Sequence, residues 1–282
     1  MKIGFIGQGW IGKHYADNFE ERGFNVIRYD IEKYKNNKKK IKECDIIFIA
    51  VPTPSITKKN KSYVDVDDSI IIDAIKNTTK NQIIVIKSTV MLGTTNKMQE
   101  LFPDRYIIHS PEFLTEATVK HDVANPSMNI VGYTNKSKNV AGKVLRILPC
   151  APYEDIIRCE ESEFAKYMIN SWFYMKVLTM NTFYDIAKEN NLDYNKLKEI
   201  IGADKRVGKT HLEPIHHTGR GAGGHCFIKD FAAFRSLYAK SSDNFLGNNF
   251  LHSAEEYNKF LMEHSNKELE LLKGVYEIND KT

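Results

Sequence analysis

At 282 residues the chain is long enough for one large domain or two ordinary ones. Apolar residues make up 42% and charged residues 27%, and the net charge of +4 is small, so composition describes an ordinary globular protein and gives no case for nucleic acid. No apolar run is long enough to span a bilayer, and the four cysteines (Cys44, Cys150, Cys159, Cys226) form neither a disulfide framework nor a C-x-x-C zinc pattern, so a reducing, cytoplasmic setting with no membrane partner is expected.

The chain opens on a short apolar strand over residues 2–6, and glycines follow at once, which does not read as a signal peptide. Next comes "GQGWIG", with Gly7, Gly9 and Gly12 in G-x-G-x-x-G register, an amphipathic stretch over 11–22, and a second strand, "NVIRYD", ending in Asp30. Strand, glycine turn, helix and strand, with an acid 18 residues past the last glycine, is the pattern of a dinucleotide site. The first glycine permits the tight turn, the second lets backbone approach a pyrophosphate, and the third lets helix pack on strand. Amides at the helix N-terminus would face the phosphates, and Asp30 would accept from the ribose hydroxyls while repelling a 2′-phosphate, which favours NAD. Further apolar strands follow at 44–51, 82–90, 105–110 and 128–132, with candidate helices at 67–77 and 94–101 between them. This alternation predicts an α/β fold with a parallel, doubly wound Rossmann sheet over residues 1–157. Ligands of such sheets lie beyond the carboxyl ends of the strands, which places 52–55, 88–89 and 110–116 on one rim.

From 160 to about 190 there is neither glycine nor proline, and Phe164, Met168, Trp172, Met175 and Leu178 recur at helical spacing. A helix of about thirty residues is predicted there, at the centre of an all-helical domain over 158–262, and it is a candidate homodimer seam. Lys166 and Asn170 share one face at i and i+4. Four glycines in "GRGAGGHC" then precede Cys226, which opens a helix and has Asp230 one turn on. A helix N-terminus favours a thiolate, and the glycines are expected to let backbone close over a ligand. His211, His216, His217 and His225 show no ligand spacing, so no metal is expected. Residues 263–282 read as a short tail.

"GQGWIG", "VPTP", "IKSTV", "SPEFLTEA", "EFAKYMIN", "DKRVG" and "GAGGHCFIKD", in this order, resemble the UDP-glucose/GDP-mannose dehydrogenase family. The resemblance implies NAD-dependent oxidation of the C6 alcohol of a nucleotide sugar, UDP-glucose first among them, to a carboxylate. Two hydride transfers would pass through a thiohemiacetal and a thioester on Cys226. It implies Lys166 and Asn170 as the oxyanion-stabilising pair, Asp230 as the acid that organises water, Glu112 as acid/base and Thr89 as holder of water and cofactor. For the cofactor it implies Gly7, Gly9, Trp10, Ile11, Gly12, Asp30, Lys35, Val51, Thr53, Thr89, Glu116 and Lys229. For the sugar nucleotide it implies Glu112, Phe113, Leu114, Thr115, Lys166, Asn170, Arg206, Gly223 and Gly224, with Arg206 often reaching across a dimer.

The chain departs from the family's pattern in ending before a third, C-terminal nucleotide-binding domain, in lacking the prolines after "KST", and in Ile228 where proline is common. Two other readings therefore stay open: a two-electron β-hydroxyacid-type dehydrogenase, which also uses a Lys-x-x-x-Asn helix, and a non-catalytic NAD-binding remnant.

Overall fold

Residues 1–57, 64–216 and 218–276 are described by a computed structural model. Contacts divide the chain into two compact units, Met1–Pro54 with Val66–Lys166, and Ser55–Asp65 with Tyr167–Thr282.

The first unit is built on β1 (Lys2–Ile6), α1 (Trp10–Glu21), β2 (Asn25–Tyr29) and β3 (Ile46–Ile49). A short ribbon of β4 (Ser55–Thr57) and β5 (Val64–Val66) interrupts the series. It resumes with α2 (Ser69–Lys76), β6 (Ile83–Ile86), α3 (Thr94–Leu101), β7 (Tyr106–His109), α4 (Val119–Ala124), β8 (Met128–Tyr133), α5 (Lys138–Leu145) and β9 (Tyr153–Arg158). Among the described residues, seven of these strands form one sheet in the order β2-β1-β3-β6-β7-β8-β9. Burial on both faces explains the unbroken apolar runs. Ile46 and Phe48 enter one core with Phe5, Phe19 and Val85, while Ile47 and Ile49 enter the other with Ile84 and Ile86.

The sheet is parallel as expected with one exception: β8 runs antiparallel to β7, with Ile108 opposite Tyr133 and His109 opposite Gly132. Residues 110–127, which carry a 3-10 turn (Glu116–Thr118) and the six-residue α4, join the two strands. The chain re-enters the sheet at the end where β7 left it, which an antiparallel neighbour allows and a parallel one does not.

Helix α6 (Cys159–Glu189) is 31 residues long, as the sequence predicts, and the division between the units falls inside it after Lys166. The second unit continues with α7 (Tyr194–Ala203), a ribbon of β10 (Ile215–His216) and β11 (Gly219–Arg220), then α8 (Gly224–Ser241), α9 (Phe245–His264) and α10 (Leu269–Tyr276). It is therefore not wholly helical, because two short ribbons belong to it. Nor is 263–276 a loose tail: Leu272 and Val275 of α10 pack with Ile228, Ala232 and Met262. Residues 277–282 of that expected tail, and His217, lie outside the described residues. On α6 the apolar residues split between two faces: Tyr174, Val177 and Leu178 enter a core with Phe231 and Leu251. Phe164, Met168, Trp172, Phe183 and Ile186 form an exposed stripe.

Candidate active site

The glycine turn sits where strand order reverses, between β1 and β3. Gly7 has φ +89°, and a Cβ there would lie 2.2 Å from Ala50 O; a Cβ on Gly12 would lie 2.0 Å from Gly7 O. Both positions exclude any side chain. Gly9 differs: among the described residues, no atom comes within 4 Å of where its Cβ would be. It precedes the first turn of α1, and among the described residues no side chain caps that end, which leaves the leading amides open to an anion. Asp30 follows β2 and accepts from Gln8 N at 2.7 Å and Glu32 N at 2.9 Å. Partial burial pushes its carboxyl pKa up, but these amides outweigh that and hold it below the ordinary value. An open face at Gly9, an uncapped helix end and an ionised acid past β2 fit a dinucleotide: phosphates on the turn, ribose at Asp30.

Other residues expected at the cofactor end the same strands. Val51 grips the Ser88 hydroxyl through its N (3.0 Å) and O (2.7 Å), and Thr53 Oγ1 donates to Thr89 O at 2.9 Å. These contacts lock the carboxyl ends of β3 and β6 together. Trp10 is 41% exposed at the start of α1, followed by half-buried Ile11. Lys35 and Glu116 are exposed in 3-10 turns. Lys229 lies in the second unit on α8, 3.9 Å from the Asp230 carboxylate.

A buried charge cluster forms past β6 and β7. Glu112 and Lys166 are 5% and 3% exposed, and Lys166 Nζ donates to Glu112 Oε1 at 2.9 Å and to Glu112 O at 2.8 Å. Burial alone would raise the Glu112 pKa; the Lys166 ammonium, the Leu114 amide at 2.8 Å and the Lys87 charge outweigh it and keep the carboxyl ionised. Lys166 also lies 5.6 Å above the Phe113 ring, while Thr115 N is held by Asp122 at 2.9 Å. Two members of the cluster escaped the sequence reading. Lys87 follows β6, donates to Pro111 O at 3.0 Å and sits 4.4 Å over the Tyr15 ring; burial lowers its pKa to about 7, with Glu112 opposing and Lys166 adding to the effect. His109 ends β7, bonds Ser162 Oγ at 2.9 Å, and is kept neutral by burial and the Lys87 charge, its pKa falling to about 3. Their signal was a polar residue closing each of the apolar runs "IIVIK" and "YIIH".

In the second unit Cys226 is exposed in the first turn of α8. Asp230, one turn on, is 1% exposed and accepts from Asn170 Nδ2 at 2.5 Å. Gly224 has φ +79° and, among the described residues, no atom within 4 Å of a Cβ, whereas a Cβ on Gly223 would lie 2.2 Å from Glu268 Oε2. Arg206 is exposed and ion-paired to Asp204 at 2.6 Å. Elsewhere in this unit, His252, Glu255 and Glu256 bring ligand atoms within 4.8 Å of one another, but Arg235 already pairs Glu255 at 2.9 Å and Lys259 lies 3.8 Å from it.

Models of the UDP-glucose/GDP-mannose dehydrogenase family match the chain twice, the NAD binding domain over residues 33–148 and the central domain over 160–260. A UDP-glucose 6-dehydrogenase of Rickettsia bellii is 26% identical over 92% of this chain and 67% of its own length. One from Campylobacter jejuni is 29% identical over 82% and 66%. An uncharacterised Methanocaldococcus jannaschii protein is 27% identical over 83% of this chain and 30% of itself. The chain thus spans between about a third and two thirds of these relatives. Among solved structures, a UDP-glucose dehydrogenase from Pyrobaculum islandicum superposes with a TM-score of 0.76 at 21% identity, over 93% of this chain and 71% of that one. A 3-hydroxyisobutyrate dehydrogenase from Mycobacterium tuberculosis superposes at 0.69 and 15% identity, over 94% and 95%. Both structural likenesses show the fold. The two family models, together covering most of the chain, show more: it belongs to the UDP-glucose/GDP-mannose dehydrogenase family and uses NAD as its cofactor.

Proposed function

We propose that the chain oxidises the C6 primary alcohol of a nucleotide sugar to a carboxylate, with UDP-glucose as the first substrate to test. The observation that carries this reading is the exposed Cys226 in the first turn of α8 with the buried, Asn170-held Asp230 one turn on. An oxidation that stops after two electrons has no use for a thiol there.

The Gly7–Gly12 turn and Asp30 would hold NAD, which would supply the hydride acceptor for both oxidations. The Cys226 thiolate adds to the aldehyde carbon, and the resulting thiohemiacetal keeps the aldehyde from leaving. At the acid level of oxidation the sulfur holds a thioester, which water cleaves to carboxylate and free thiol. The Lys166 ammonium and the Asn170 amide donate to the oxyanions of both tetrahedral stages. Glu112, kept ionised by its lysines, takes the proton of the attacking water. Overall, one alcohol and one water give one carboxylate, two NADH and three protons.

Stoichiometry tests the reading: purified chain with UDP-glucose should form two NADH per sugar consumed. One NADH per substrate would replace it with a two-electron dehydrogenase. NAD binding without turnover across UDP- and GDP-sugars would replace it with a non-catalytic protein.

The partner we propose is a second copy, docked along the exposed stripe of α6, where Met168, Trp172, Phe183 and Ile186 are 44–68% exposed on one face. Light scattering of the intact chain should give twice the monomer mass; a monomer at micromolar concentration would overturn it.

A further inference from the structure

The glycine-rich loop ahead of Cys226 is gripped from behind by the chain between Asn258 and Glu268. Asn258, 1% exposed, brackets Ala222: Oδ1 accepts from Ala222 N at 2.7 Å and Nδ2 donates to Ala222 O at 3.0 Å. Ser265 Oγ accepts from Arg220 N at 2.8 Å. Lys267, 2% exposed, donates from Nζ to Gly221 O at 2.8 Å, and Glu268 Oε2 accepts from Gly224 N at 2.6 Å. The glycines are the other half of this fit. A Cβ would lie 2.4 Å from Ser265 Oγ at Gly219, 2.8 Å from Met262 Cγ at Gly221, and 2.2 Å from Glu268 Oε2 at Gly223.

Glu268 is distinctive on two counts. Its backbone is left-handed at φ +50°, a conformation costly for a long side chain and easier for glycine or asparagine. Its carboxylate takes the first amide of α8, two residues before Cys226. Helix-end amides and the helix dipole favour an anion, whether carboxylate or thiolate. Two anions at one helix end repel, so an ionised Glu268 opposes ionisation of Cys226.

We propose that Lys267 and Glu268 are positioning residues for Cys226: with Asn258 they fix the loop that places the thiol, and the Glu268 carboxylate restrains its ionisation. The inference rests on the proposed function only in giving Cys226 a purpose; its test reads the thiol directly.

The test uses the full chain carrying Cys150→Ser, which leaves Cys226 as the exposed thiol beside buried Cys44 and Cys159. Iodoacetamide alkylation of Cys226 is followed by peptide mass spectrometry from pH 5 to 10. Glu268→Gln keeps an acceptor for Gly224 N but removes the charge. The thiol pKa should fall by about half a unit and alkylation at pH 7 should speed up about two- to fourfold. Lys267→Met should raise amide hydrogen exchange across 220–224 at least about tenfold, with protection of Phe231–Ala233 in α8 unchanged. A parental pH profile in Glu268→Gln, or parental exchange at 220–224 in Lys267→Met, would overturn the proposal. Glu268→Gln decides alone if Lys267→Met fails to fold. Both shifts in a chain that makes no NADH would uphold this inference and count against the dehydrogenase reading only.

Discussion

The first unit and the second present their reactive groups by different means. In the first, Lys87 follows β6 and Ser110 to Glu112 follow β7, so strand register alone delivers them to one edge of the sheet. Joined by Lys166 from the start of α6, they form a dry cluster in which two lysines face one carboxylate. In the second, the groups are divided between helices α6 and α8, and side-chain bonds set the register between the two. Asn170 of α6 must reach Asp230 of α8, and the loop before Cys226 must be tied to a segment about forty residues further on. A sheet edge places charges through backbone; a helical unit places them through side chains. The first arrangement should fail through electrostatics and the second through geometry.

The largest effect expected is on chemistry. Cys226→Ser should lower NADH formation with UDP-glucose by at least about a thousandfold at unchanged thermal stability, since the residue is exposed. Turnover above a tenth of the parent would remove the thiol from the reaction.

Next comes Lys166→Met. It leaves the Glu112 carboxylate buried beside a weaker partner, and urea unfolding should lose about 4 kcal/mol. A loss under 1 kcal/mol would mean that the pair is not held dry.

Lys87 gives a pH signature. Its folded pKa of about 7 lies below the 10.5 of an ordinary lysine. Between these values the unfolded chain holds a proton that the folded chain lacks, so stability rises with pH through this window and is flat below it. From pH 7.5 to 9.5 the parent should gain about 2 kcal/mol relative to Lys87→Met. Parallel stability curves would show that Lys87 is charged and solvated.

In the helical unit Asn170→Ala removes a donor but no charge, and should cost about 1.5 kcal/mol, less than half of the Lys166 effect. If the two were equal, the contrast between the units would collapse. Smallest of all, Trp172→Glu on the α6 stripe should change monomer stability by less than about 0.5 kcal/mol while halving the mass in light scattering.

The local signals were legible in the sequence. The glycine turn with its two strands and terminal acid is encoded within thirty residues, and α6 is encoded by an uninterrupted helical run. What escaped was long-range. Lys87 looks like the solvated end of a strand until the β6–β7 pairing buries it against Glu112. The antiparallel β8 depends on the end of the sheet at which the chain re-enters, which apolar periodicity does not report. The glycines before Cys226 suggested a cover for a ligand. Gly219, Gly221 and Gly223 lie against 258–268, a contact no local pattern reports, while among the described residues Gly224 faces open space. Lys267 and Glu268 were hidden in a stretch whose charges look like ordinary surface.

The packing of α10 has a practical consequence. Ending an expression clone at residue 262, the expected end of the helical domain, would strip Leu272 and Val275 from Ile228, Ala232 and Met262 and leave that greasy patch wet. Such a fragment should precipitate or be clipped by trypsin, and an inactive preparation of it would say nothing about the intact chain. A boundary beyond Tyr276 keeps the patch covered and is the one to use for crystallisation or assay.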